Sequence, residues 1–65
     1  MTSNPLDVIR MALGREKAAV RDYTAFAKTA TEPSIREMFL FLVEEEKKHV
    51  KLLQDEIDRE VNQEM

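Results

Sequence analysis

The chain has 65 residues, no cysteine, 43% apolar and 35% charged residues, and a net charge of -3. A unit this small rarely buries enough surface to be comfortable alone, and without cysteine neither disulfides nor thiolate metal sites can help. That leaves metal bound through oxygen and nitrogen, self-association, or both. Nucleic acid, which wants a clustered basic face, is excluded as the main partner. The start, MTSNPLDVIR, lacks the basic-then-apolar pattern of a signal peptide. No apolar run approaches a membrane span, so a soluble, cytoplasmic protein is expected.

Ser3-Asn4-Pro5 opens the first predicted element. Asn4 suits a helix cap, Pro5 the first helical position, and Asp7 the positive end of the dipole. A helix is predicted over about residues 5–30, with Gly14 as its one weak point. Ile9, Ala12, Glu16, Ala19, Tyr23, Phe26 and Ala30 follow one another at alternating three- and four-residue steps. That spacing draws a coiled-coil seam. Leu6, Leu13, Val20 and Ala27 widen it to a bundle face.

A turn is predicted at 31–33, where Thr31-Glu32-Pro33-Ser34 interrupts the pattern. Thr31 or Ser34 can cap the next helix, and Ser34 with Glu37 has capping-box spacing. This second helix is predicted over about residues 33–62. Ile35, Phe39, Leu42, Glu46, His49, Leu53, Glu56 and Glu60 form its seam. Val43, Val50 and Ile57 form an adjacent apolar row, which reads as surface left over for another subunit. The fold class is therefore all-α, one antiparallel hairpin filling residues 1–65. Two helices cannot enclose a core, so a symmetric dimer forming a four-helix bundle is predicted.

Glu16, Glu46 and His49 interrupt the apolar seams. Charged groups are almost never buried unless paired or metal-bound. With the turn near residues 31–32, Glu16 falls level with about residue 47, between Glu46 and His49. The three should meet at one height. A two-fold axis would add three more, giving four carboxylates and two imidazoles. Di-iron and di-manganese carboxylate bundles use that donor set: a Glu from each of two helices and Glu-x-x-His from each of the others. Four carboxylates nearly cancel two divalent cations. The oxygen-rich donors suit iron or manganese, with zinc as a substitute. Ala12, Ala19, Gly14 and Ala18 would leave room for metals and a small oxidant. Tyr23 lies one heptad after Glu16 and leans back toward it, where its hydroxyl could hydrogen-bond a ligand carboxylate. Glu44, Lys47 and Lys48 read as solvated surface. Glu45 reads as surface, with an outer ligand or an entry-path group as alternatives, and Glu56 and Glu60 as solvated residues near a frayed end, with a weak cation site along the bundle axis as the alternative.

Glu16, the segment from Thr31 to Pro33, and the run Glu44-Glu45-Glu46-Lys47-Lys48-His49 resemble the ferritin-like di-iron family. Rubrerythrin-type half-domains and encapsulated ferritins carry similar residues. The resemblance implies a two-helix subunit that pairs into a four-helix bundle, with dimers assembling into a ring inside an encapsulating shell protein. It implies metal ligands Glu16, Glu46 and His49, with Glu16 bridging two irons per subunit pair, and a ferroxidase with Tyr23 beside the site. The chain lacks the Cys-rich domain of peroxidase rubrerythrins, and no shell-targeting tail is apparent before Met65. Two other readings stay open: a metal-stapled module without turnover, and a metal-free helical oligomerisation module in which the three polar residues set specificity.

Overall fold

The computed structural model describes residues 4–63. Met1, Thr2 and Ser3 and the closing Glu64-Met65 lie outside the described residues. Two helices make up the described residues, α1 (Pro5–Thr29) and α2 (Pro33–Gln63). They pack against each other as an antiparallel hairpin, and no strand occurs among the described residues.

The ends are set by the residues that sit there. Asn4 is extended, and its side-chain oxygen accepts the Leu6 N–H at 2.8 Å. Pro5 comes next, at the first helical position, where a missing N–H costs nothing. Asp7 reaches Arg10 at 3.6 Å across one turn. At the other end, Ala30 leaves helical geometry while its N–H still reaches the Phe26 carbonyl at 2.9 Å.

The capping box expected at Ser34 and Glu37 does not form. Pro33 itself takes the first position of α2, so the helix begins one residue before Ser34. The Glu32 carbonyl accepts the Arg36 N–H at 3.0 Å, which places Ser34 inside the first turn. Arg36 does more than continue the helix. Its Nη2 donates to the Ala30 carbonyl at 2.8 Å, tying the start of α2 to the end of α1.

The hairpin core is one row from each helix. Leu13, Ala27, Val43 and Ile57 are its buried residues. Leu6 and Val20 on α1 and Val50 on α2 are half-buried in the same heptad rows. This corrects the expectation for Val43, Val50 and Ile57. They are not spare surface for another subunit, because they form the contact between the two helices. The seam residues lie one step around each helix and run along an edge of the hairpin. Ile9, Glu16, Tyr23, Phe39, Leu42, Glu46 and Leu53 are half-buried there, and Phe26 and His49 are exposed.

The Cα envelope measures 49 × 24 × 11 Å. Its smallest dimension is about one helix diameter, so the hairpin is a single layer. Phe26, Ile35, Met38, Phe41 and Leu52 remain exposed as large apolar side chains. Among the described residues, no helix is long and apolar enough to cross a membrane.

Candidate metal centre

Glu16 comes from the middle of α1, and Glu46 and His49 from the middle of α2. The three- and four-residue steps hold them on one edge, and the antiparallel packing brings them level. Each offers one ligand atom such that all three atoms lie within 4.8 Å of one another. His49 Nδ1 is 3.6 Å from Glu46 Oε2 and 3.8 Å from Glu16 Oε2. These distances exceed a normal hydrogen bond. The three groups converge on a common point without bonding each other.

Burial differs from the core setting the sequence suggests. Among the described residues no polar or charged residue is fully buried. The side chains of Glu46, Glu16 and His49 are 19%, 29% and 52% exposed. In one hairpin the cluster lies open along the edge, since a single layer cannot cover it.

The surroundings grade along the seam. On the turn side, Phe39 stacks on Tyr23 with ring centres 6.0 Å apart and meets Phe26 at 5.4 Å. Tyr23 is thus held by aromatic packing, and its hydroxyl makes no hydrogen bond among the described residues. Ala12 and Ala19 flank Glu16 on the seam and are half-buried. Gly14 is not part of that space: it is exposed, and a Cβ there would meet nothing within 4 Å. Glu44 pairs with Lys47 at 3.4 Å and Glu45 with Lys48 at 3.0 Å, as surface groups do.

At the open end of the hairpin, Glu56 and Glu60 are half-buried within an unbroken helix rather than frayed. With Asn4, Pro5, Leu6 and Ile9 they line a cleft of about 440 Å³, and Glu56 also pairs with Arg59. Sequence reasoning misses this cleft because it depends on where the N-terminus of α1 lies against the end of α2.

Two carboxylates and one imidazole give oxygen and nitrogen donors without sulfur. That set fits iron or manganese and is compatible with zinc. Three such ligands leave part of an ion's coordination to other groups.

A family model for rubrerythrin matches residues 7–64. The chain belongs to the rubrerythrin family. Membership in this ferritin-like di-iron family implies iron binding, and the Glu16, Glu46 and His49 cluster offers ligands for it. The rubrerythrin-type segment is also 40% identical over 42 residues to the encapsulin nanocompartment cargo protein EncB of Myxococcus xanthus (strain DK1622). That match covers 65% of this chain and 27% of the relative, so it spans about a quarter of EncB. No solved structure matches the chain.

Proposed function

We propose that the protein is a ferroxidase-type iron protein whose site is completed by two copies of the hairpin. The observation that carries this reading is the convergence of Glu16, Glu46 and His49, with ligand atoms within 4.8 Å, on an uncovered edge. A second copy across a two-fold axis would supply the other three ligands and cover the exposed Phe26 and Met38. The sum of four carboxylates and two imidazoles would hold two Fe(II) ions as substrate, with manganese or zinc as substitutes.

In this reading Glu16 is the acid shared between the two ions, Glu46 binds from α2, and His49 binds at the outer side. The carboxylates neutralise the ionic charge as it rises on oxidation. Two Fe(II) ions each give up one electron. With peroxide as oxidant, two protons are taken up and two waters leave, which balances the step. With a second hairpin over Phe26, Tyr23 and its aromatic stack would close the turn side of the site to water, and the Tyr23 hydroxyl would orient a carboxylate.

Iron storage or detoxification inside a protein compartment belongs to the same reading. Similarity to an encapsulin cargo protein supports an encapsulating shell partner, and dimers would assemble into a larger ring. The test is anaerobic loading of the purified chain with Fe(II), then exposure to air or peroxide. Bound Fe(II) near one ion per chain and ferric absorbance that recurs over repeated additions are expected. Binding without recurrent oxidation would leave only a metal-stapled module, and no binding at all would reject the site.

A further inference from the structure

The flank of the hairpin opposite the acidic seam has a different character. Between α1 and α2, near the turn, runs an open groove of about 410 Å³ lined by Thr24, Ala27, Lys28, Arg36 and Leu40. Its floor is apolar, and Leu40 is exposed although it stands beside the core. No carboxylate lines it.

The ion pairs sharpen the picture. Arg10, Lys47, Lys48, Lys51 and Arg59 each pair with an acid on their own helix. Arg15, Lys17, Arg21, Lys28 and Arg36 pair with no carboxylate among the described residues, and all of these but Arg15 lie on this flank. Lys17 and Arg21 lie one heptad before Thr24 and Lys28, so they continue the same flank. Lys28 also suits the last turn of α1, where a cation meets the negative helix end. Lys17 and Arg21 stand further up the helix and have no such role. In a chain of net charge -3, a row of unpaired cations beside an apolar floor is set against the overall balance.

We propose that this groove docks an acidic segment of a partner protein that inserts one bulky apolar side chain against Leu40 and Ala27. Its carboxylates would meet Lys28, Arg21 and Lys17. Charge complementarity selects the occupant. The short apolar floor takes one anchoring side chain, whereas a membrane surface needs a broad apolar face and nucleic acid needs a longer basic stripe without such a floor. If a second hairpin covers the seam edge, as proposed above, this flank stays outside the dimer.

The probe is a hexapeptide of five glutamates and one inner phenylalanine, titrated into the full isotope-labelled chain. Amide shifts confined to Thr24, Ala27, Lys28, Arg36, Leu40 and their neighbours are expected, with affinity that falls as salt rises. Lys28→Glu and Leu40→Asp, both at exposed positions, should each weaken binding at least tenfold while helicity stays unchanged. Hexaglutamate should bind at least tenfold more weakly than the probe. Absence of localised shifts, equal binding of hexaglutamate, or selective binding of phosphatidylglycerol vesicles or single-stranded DNA at this flank would overturn the proposal. Glu46→Gln should leave peptide binding intact, and Lys28→Glu should leave iron binding intact. Failure here is therefore separable from failure of the iron reading.

Discussion

His49 Nδ1 lies 3.8 Å from a carboxylate oxygen of Glu16 on the facing helix, although half the chain separates them. Glu46 stands at 3.6 Å from the same nitrogen. Removing the charge of one ligand should therefore be felt by the whole cluster. Glu46→Gln keeps the shape and loses the anion. Its iron affinity is expected to drop by more than the ~10–100-fold that loss of an outer partner typically causes. Without metal the same variant should melt at the same temperature or higher, because fewer like charges face each other across the assembly. Equilibrium dialysis and thermal melts check the two halves. Unchanged iron stoichiometry in Glu46→Gln would reject the ligand assignment.

The edge that holds these ligands also carries Phe26, half of whose surface is open to solvent in the single hairpin. Fully burying a large apolar side chain is worth about 1.5–3 kcal/mol, and covering the open half about half of that. Phe26→Asp should replace that gain with a desolvation cost at the same place. Sedimentation is expected to show a halved mass at micromolar concentration, with iron binding lost in parallel. A Phe26→Asp chain that keeps both its assembly and its iron would show that this edge is not the one two copies share.

Much of this was legible in the amino-acid order. The steps through Glu16, Tyr23, Phe39 and Glu46 specify a helical edge, and the break at Pro33 specifies the hairpin. Together these determine that Glu16 falls level with Glu46 and His49. What periodicity could not tell was which of two adjacent rows faces the other helix. Val43 and Ile57, and the row of Leu42 and His49, differ by one step around a helix, and both are largely apolar. Packing decides between them: the rows rich in branched aliphatic residues close the hairpin, and the rows holding the charged groups remain at its edge. The Arg36 link to Ala30 was not legible either. It depends on a long side chain folding back over the turn, and no local spacing rule encodes that reach.

That link makes a prediction of its own. The Arg36 guanidinium donates to the carbonyl at the end of α1, 2.8 Å away. It satisfies a group that the helix leaves without an internal partner. Arg36→Met keeps much of the apolar stem and removes the donor. The bond is exposed to water, so the cost is about 1 kcal/mol. Denaturant melts of the metal-free protein should show a lower midpoint with an unchanged slope. An unaltered midpoint would mean that Pro33 and the hairpin core alone set the turn.

Gly14 gives the opposite sign. It sits inside α1, where glycine loses more backbone freedom on folding than any other residue. A methyl group added there would meet nothing within 4 Å, and no glycine has a positive φ. Neither sterics nor backbone geometry therefore opposes alanine. Gly14→Ala is expected to stabilise the chain by about 1 kcal/mol, which corresponds to roughly 4–8 °C in Tm for a domain this small. Iron binding should not change, because the position faces away from Glu16 and its partners. A destabilised Gly14→Ala variant would locate a neighbour over that face that the single hairpin lacks, and sedimentation of the same variant would show whether a further copy of the chain is that neighbour.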